Sequence, residues 1–190
     1  MSSENYLEYF NHMKKTKMLG RFYRKYIIFN TLNNNLIGKC LDIGCGLGSF
    51  VRYRENTDAA DINPISIDLL KKDGFSAFLI KNNKIPVKKN MYDSLLMDNV
   101  LEHIQSPDNL LLECKRIIKP NGIFLIGVPG KKGFESEDDH KIHYSNTKLV
   151  SKLNLFGFKH LKTFYKPFKF NLFDNYLKQY CMYSLFRSLK

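Results

Sequence analysis

One stretch restricts the fold of this chain more than any other: Lys39-Cys40-Leu41-Asp42-Ile43-Gly44-Cys45-Gly46-Leu47-Gly48-Ser49-Phe50. A short apolar run enters a turn with glycine at every second position, and a helix start is expected after it. Glycine has no Cβ, so it accepts positive φ and lets a ligand approach the backbone. Three glycines between a strand and a helix predict a loop that wraps a ligand, and the free amides of the helix start favour a polar or anionic group. The dinucleotide fingerprint G-x-G-x-x-G is not met: the third glycine comes one residue early, and Ser49 occupies the place it would need. A nicotinamide cofactor is thereby disfavoured, although glycines also serve plain tight turns.

Around this loop the pattern alternates strands and helices. Residues 4–35 read as helix in two pieces broken near Gly20, with Phe22, Tyr26, Phe29 and Leu32 at helical spacing. Residues 1–36 therefore read as a helical segment packed on the core, with Tyr6, Tyr9, Phe10 and Tyr23 available to border a pocket. A short helix is expected over 49–55, a strand over 57–61, and a helix opened by Pro64 and stopped near Gly74. Strands are expected over 75–80 and 92–97. Ser106 suits an N-cap, Pro107 the first helical position, and Lys115, Arg116 and Lys119 the far end of the next helix. Pro120-Asn121-Gly122 should stop that helix and start a strand over 123–128, apolar on both faces and hence central. A helix over 145–156, a strand over 158–165, a short helix after residue 171 and a last strand over 181–187 complete the reading. Alternation of this kind implies a parallel sheet with helices on both faces, in a single domain.

With 190 residues, 44 % of them apolar and 25 % charged, the composition is that of a soluble globular protein. No targeting signal or membrane-length apolar run is visible, and the four cysteines form no C-x-x-C pair, so a cytoplasmic home is expected. The net charge of +12 is concentrated at one end: residues 141–190 carry 10 basic side chains against one acidic, Asp174. Such a surface attracts nucleic acid, an anionic membrane face or an acidic substrate. Nearly all the cations are lysine, however, whereas arginine is favoured for bidentate phosphate recognition.

Leu41-Asp42-Ile43-Gly44-Cys45-Gly46-x-Gly48 resembles the first motif of class I S-adenosylmethionine (SAM) dependent methyltransferases, and further motifs follow in the same order. They are Asp61 in Ala-Ala-Asp-Ile-Asn-Pro, Ile85-Pro86, Tyr92 to Ile104, Ser106-Pro107-Asp108, Cys114 to Gly122, His140 to Ser145, and Gly157-Phe158. Together, over residues 38–160, they resemble the type 11, ubiquinone-biosynthesis-like small-molecule methyltransferases. The resemblance implies a Rossmann-like, doubly wound, mostly parallel seven-stranded sheet over 37–190, with SAM as cofactor. It also implies that Asp42, Gly44, Cys45, Gly46, Gly48, Asp61, Ile62, Asn82, Asp98 and Asn99 surround the cofactor, with Asp61 on the ribose hydroxyls. Two features depart from the pattern. Only 13 positions separate Gly48 from Asp61, and Lys81 stands where relatives often place an Asp for the adenine amine, leaving Asn82 to accept that bond.

Methyl transfer from a sulfonium needs alignment and exclusion of water more than it needs a catalytic triad. A hydroxyl acceptor also benefits from a base, for which His103, His140 and His143 are candidates; His103 and His140 are expected at the acceptor. Asn99, Glu102 and His103 are spaced i, i+3, i+4 and would share a helical face. Relatives that methylate one oxygen of a vicinal diol or catechol carry Glu-x-x-Glu-His there and bind a divalent metal. Asn99 is a poorer ligand, though His140 is placed to contribute, and no metal is expected. The expected function is SAM-dependent methylation of a small molecule at a hydroxyl oxygen, with the basic C-terminal third suited to an anionic one. The alternatives are an RNA methyltransferase using the basic C-terminal third, and a methyltransferase-fold scaffold without catalysis.

Overall fold

The computed structural model of the protein describes residues 24–167, 177 and 179–190. Its strands are β1 (Cys40–Ile43), β2 (Thr57–Asp61), β3 (Ala77–Leu79), β4 (Tyr92–Asp98), β5 (Ile118–Pro129), β6 (Phe158–Lys166) and β7 (Cys181–Ser188). They form one seven-stranded sheet in the order β3-β2-β1-β4-β5-β7-β6. The first five are parallel, and β7 and β6 close the sheet as an antiparallel pair. Helices α1 (Asn30–Asn33), α2 (Pro64–Lys72), α3 (Asp108–Ile117), α4 (Lys131–Phe134) and α5 (Asn146–Leu155) connect them. This is the expected Rossmann-like, doubly wound single domain.

Burial of the central strands on both faces follows from their register. Leu41 and Ile43 of β1, Leu95 and Met97 of β4, and Phe124 and Ile126 of β5 pack with Leu111 and Ile117 of α3 and Leu153 of α5. The alternate residues Cys40, Leu96, Ile123 and Leu125 face the other side, against Ile28, Phe29, Leu32 and Phe50. A separate cluster joins Ile67 and Leu70 of α2 to Ala59 and Ala77. Each such aliphatic side chain contributes about 1.5–3 kcal/mol when fully removed from water, so a slip of one residue in any central strand is strongly disfavoured.

The structure differs from the sequence-based expectation in several places. Before α1 the chain winds as a π-helix over Arg24–Phe29. Tyr26, expected on the packed face, is 61 % exposed, and Ile28 joins Phe29 and Leu32 instead. The wider π winding advances fewer degrees per residue, so 3.6-residue spacing selects the wrong neighbour of Phe29. The helix expected over 49–55 is a series of turns. Arg54 donates to Gly38 O at 2.9 Å and to Thr57 Oγ1 at 3.1 Å, drawing the short connection back to β2.

α3 starts at Asp108 with Pro107 as its N-cap, one residue later than expected, and β5 follows it directly at Ile118. Pro120-Asn121-Gly122 therefore lies in an irregularity of β5, where the register shifts from Tyr92↔Ile118 to Ser94↔Ile123 and Asn121 takes φ 60°. A Cβ on Gly122 would lie 2.6 Å from Ile118 Cγ1, which explains the glycine there. At the third strand only Ala77–Leu79 pairs. The expected helix over 4–23 with its break at Gly20, the aromatic residues Tyr6, Tyr9, Phe10, Phe22 and Tyr23, and most of the short helix after residue 171 lie outside the described residues.

Candidate active site

Strand order reverses between β1 and β4: the chain continues from β1 towards β2 and β3 on one side, and from β4 towards β5 on the other. In open α/β sheets a crevice opens beyond the carboxyl ends of the strands at such a point. The glycine loop emerges there. Gly44, Gly46 and Gly48 take φ of 74°, 53° and 72°. The Gly44 and Cys45 amides both donate to Ala60 O, at 2.8 and 3.2 Å, and Gly48 N donates to Cys45 O at 2.9 Å, curling the loop over the end of β2. A Cβ on Gly44 would sit 2.3 Å from Val100 Cγ2, so the loops after β1 and β4 meet at that residue.

Asp61 ends β2 and is 5 % exposed. Its Oδ2 accepts the Gly46 amide and its Oδ1 the Asn63 amide, both at 2.8 Å. Burial raises its carboxyl above the usual carboxylate range, and the amides of Asn63, Gly46 and Ile62 oppose that rise. Each carboxylate oxygen has a second acceptor direction beyond the amide it already holds, so the group retains capacity for the two hydroxyls of a diol. Ile62, next in the chain, is 53 % exposed and offers a flat apolar surface beside that carboxylate. A diol-accepting carboxylate, an apolar face and a glycine cradle whose Cβ atoms would fill the space at Gly44 form a donor set that fits a ribonucleoside such as SAM.

Other residues of the expected cofactor set fall around the same end of the sheet. Asp42 is buried on β1, paired in register with Ala59 and Leu96. Cys45 lies in the loop, its thiol pushed up by burial and by Asp42 and Asp61. Asp98 ends β4 opposite Gly127 of β5, where a Cβ would lie 2.7 Å from Asp98 Oδ1. Asn99 takes φ 55°, donates its side-chain amide to Asp98 Oδ1 at 3.0 Å, and accepts from Cys181 Sγ at 3.6 Å. Asn82 sits apart from these contacts. With Asn83 it forms the two-residue tip of a small hairpin closed by Lys81 and Lys84, both asparagines at positive φ. Turn geometry thus accounts for the Asn-Asn pair, and the exposed Asn82 side chain is held at the surface beyond Ile80, whose amide bonds Asp61 O at 2.8 Å.

Directly after Val100, a 3₁₀ turn over Leu101–His103 carries a second group of side chains. The Glu102 carbonyl accepts the amides of Lys141 at 2.7 Å and Ile142 at 3.0 Å, which brings His140 against His103. Their ring centroids are 4.6 Å apart. His103 Nδ1 lies 2.9 Å from Asp139 Oδ2, and His140 Nδ1 lies 2.8 Å from Phe134 O. A carbonyl can only accept, so His140 donates from Nδ1; its ring also stacks on Phe134 at 5.3 Å. In the neutral rings both Nε2 atoms then carry lone pairs, and each lies 4.0 Å from Glu102 Oε1. Burial lowers the His103 pKa, with Asp139 opposing, which favours the neutral ring.

Glu102 is 1 % exposed and neither carboxylate oxygen has a hydrogen-bond partner. Burial pushes its pKa up to about 8, with Asp98 and Asp139 adding to the rise. The structure thus brings together His103 and His140, expected at the acceptor, and adds Glu102, Asp139 and Phe134 around them. His143 stands to one side, edge-on to Phe134 at 5.2 Å. The helical face expected for Asn99, Glu102 and His103 does not form, because the turn begins only at Leu101 and Asn99 is turned to Asp98 and Cys181.

Sequence reading missed a second support of the site. Glu113 of α3 is buried and accepts the Ile85 amide at 2.9 Å, while Arg116 bonds Glu113 Oε1 at 2.7 Å and the carbonyls of Ile85 and Val87 at 3.2 and 2.9 Å. This pair fixes the chain that follows the Asn82 hairpin. The i, i+3 spacing of Glu113 and Arg116 was the available signal.

Comparison with known proteins agrees with this fold. Residues 41–126 match the family described as a methyltransferase domain. An uncharacterized protein of Methanocaldococcus jannaschii is 27 % identical over 143 residues, covering 70 % of each chain. The mitochondrial ubiquinone biosynthesis O-methyltransferase of Schizosaccharomyces pombe is 29 % identical over 99 residues, which cover 44 % of this chain and only 35 % of that enzyme. Among solved structures, a SAM-dependent methyltransferase of Thermotoga maritima, described as a possible histamine N-methyltransferase, superposes with a TM-score of 0.76. It covers 98 % of this chain and 99 % of its own at 15 % identity, a likeness of fold. No helix among the described residues is long and apolar enough to cross a membrane.

Proposed function

We propose, from the premise that this chain belongs to the class I SAM-dependent methyltransferases, that it methylates a hydroxyl oxygen of a small molecule seated at His103 and His140. The observation that carries this reading is the pair of Nε2 atoms converging beside Glu102, two residues beyond the contact between Val100 and Gly44. Gly44, Cys45, Gly46 and Gly48 wrap the amino-acid end of the cofactor, and Asp42 supports that loop from β1. Asp61 receives the ribose diol, Ile62 covers one face of the adenine, and Asp98 with Asn99 lines the wall beneath. Asn82 approaches the adenine edge from its hairpin.

When bound, SAM supplies a methyl group already activated by its sulfonium. The chain holds the acceptor oxygen in line with the carbon–sulfur bond and keeps water out. As the new C–O bond forms and the C–S bond breaks, the hydroxyl proton passes to an Nε2 lone pair and from there to solvent. Asp139 and Phe134 keep the rings in the orientation and tautomer that leave those lone pairs available. The fission-yeast relative, an O-methyltransferase, supports oxygen as the acceptor atom.

The test is incubation of the purified protein and methyl-labelled SAM with fractionated small metabolites and, separately, with total RNA. Label in the small-molecule fraction, in a bond that survives mild alkali as a methyl ether does, is the expected result. Label confined to RNA would overturn the proposal.

A further inference from the structure

The end of the sheet opposite the crevice carries apolar surface and charge that methyl transfer does not use. There the last turn of α3, the turn that closes α5, the start of β6 and the end of β7 come together. The Leu189 amide donates to Gly157 O at 2.8 Å, and Lys115 Nζ donates to Leu189 O at 2.6 Å and to Ser188 Oγ at 3.1 Å. Three leucines stand out from this end, Leu155 at 81 % exposure, Leu189 at 57 % and Leu112 at 55 %. Leu112 shares one stripe of α3 with Asp108 and Lys115, so it lies between the ion pair of Asp108 with Lys152 of α5 and the contacts of Lys115 with β7. Leucines exposed singly need no explanation, but a group of them within a rim of cations marks an interaction surface.

The cations here lack counter-charges. Lys159 and Arg187, both exposed, are directly opposite each other across the β6–β7 ladder, an arrangement of like charges that costs stability. Lys190 Nζ is held by Asn90 Oδ1 and Ile118 O, both at 2.7 Å, and burial together with the Lys190 charge lowers the pKa of Lys115. Among the described residues no carboxylate pairs with Lys115, Lys159 or Arg187.

We propose that this end of the molecule docks on an anionic lipid surface through Leu112, Leu155 and Leu189 and the cations Lys159, Arg187 and Lys190. Charge complementarity selects the partner, because an array of negative headgroups relieves crowded like charges. The leucines reach past the cationic rim to the boundary with the acyl chains, which a polar polyanion does not offer. Lysine acts as a compact point charge suited to such a diffuse field, whereas nucleic-acid recognition draws on the arginine fork. The crevice lies at the carboxyl ends of β1 and β4, the far end of the sheet, so it stays open to solvent in the docked protein. The inference does not depend on which acceptor is methylated.

Co-sedimentation of the full chain with vesicles tests the surface. The protein should pellet with phosphatidylcholine vesicles containing about one-third phosphatidylglycerol, stay in solution with phosphatidylcholine alone, and be released as salt rises. Lys159→Gln combined with Arg187→Gln should weaken the partition by roughly fivefold for each cation removed. Leu155→Ser, at a side chain that stands almost wholly in solvent, should weaken it by about tenfold. SAM affinity should be unchanged in both variants, since neither touches the crevice. Equal sedimentation with both kinds of vesicle, sedimentation with neither, or undiminished binding by both variants would overturn the proposal. Binding to total RNA without binding to vesicles would assign the cations to nucleic acid and overturn it as well.

Discussion

The Gly46 amide donates to Asp61 Oδ2 at 2.8 Å, fastening the loop after β1 to the end of β2. The same carboxylate caps its own turn through the Asn63 amide at 2.8 Å. A side chain that the resemblance assigns to the ribose is thus also a structural brace of the cradle, so the shape of the loop and the position of the diol acceptor are set together.

Gly48 of that cradle and Gly74, just past the end of α2, differ in what a side chain would cost. At Gly48, φ is +72° and a Cβ would lie 2.3 Å from Leu70 Cδ2; at Gly74, φ is +85° and nothing lies within 4 Å. Gly74→Ala should cost only the left-handed backbone penalty, about 1–2 kcal/mol. Gly48→Ala adds an overpacking cost of about 1–3 kcal/mol. Urea denaturation of the two variants checks the order; equal losses would contradict the packing described at α2.

Glu113 gives the fold an acid limit. Its hydrogen bonds to Arg116, to the Ile85 amide and to Lys84 hold its pKa down to about 2, against 4.5 for the free side chain. A depressed carboxylate stabilises the folded state above its unfolded pKa, and that contribution disappears as pH falls through the folded value. About 3 kcal/mol should therefore be lost between pH 4.5 and 2. In Glu113→Gln this limb of the stability curve should be absent, as measured by urea unfolding at a series of pH values. A variant with the same acid limb as the wild type would contradict the assignment.

At the other end of the strands, the buried Tyr92 hydroxyl donates to Asp58 Oδ2 at 2.9 Å, and Lys39 Nζ approaches the same carboxylate at 2.9 Å. Tyr92→Phe should cost about 1.5–3 kcal/mol, the range for a hydrogen bond to a charged group. Because Tyr92 starts β4 and the cofactor end is its far end, SAM affinity should be unchanged. A calorimetric titration of the variant that showed weaker SAM binding would place this contact nearer the site than the fold does.

Much of this was legible in the sequence because short-range chemistry determines it. Glycine spacing marked the loop, Thr57–Asp61 was bounded as a strand at both ends, and Pro64 and Ser145 marked the helix starts, with Ser145 Oγ capping Lys148 N at 3.3 Å. What was not legible depends on contacts between distant segments. Asp139 carries no signal of its own in the sequence, since its contact with His103 exists only because Lys141 and Ile142 bond back to Glu102. The burial of Glu102 and the clamp of Glu113 on Ile85 arise in the same way. Tyr26 was misplaced for a local reason, since π winding leaves no mark in a 3.6-residue pattern.

Isothermal titration calorimetry of SAM against the wild type, Asp61→Asn and Asp61→Ala tests most directly the claim that this crevice holds the methyl donor. Wild-type protein should bind one equivalent. Asp61→Ala, which loses charge-assisted bonds worth about 1.5–3 kcal/mol each, should bind at least tenfold more weakly, with Asp61→Asn between the two. Unchanged SAM affinity in a folded Asp61→Ala protein would contradict the account.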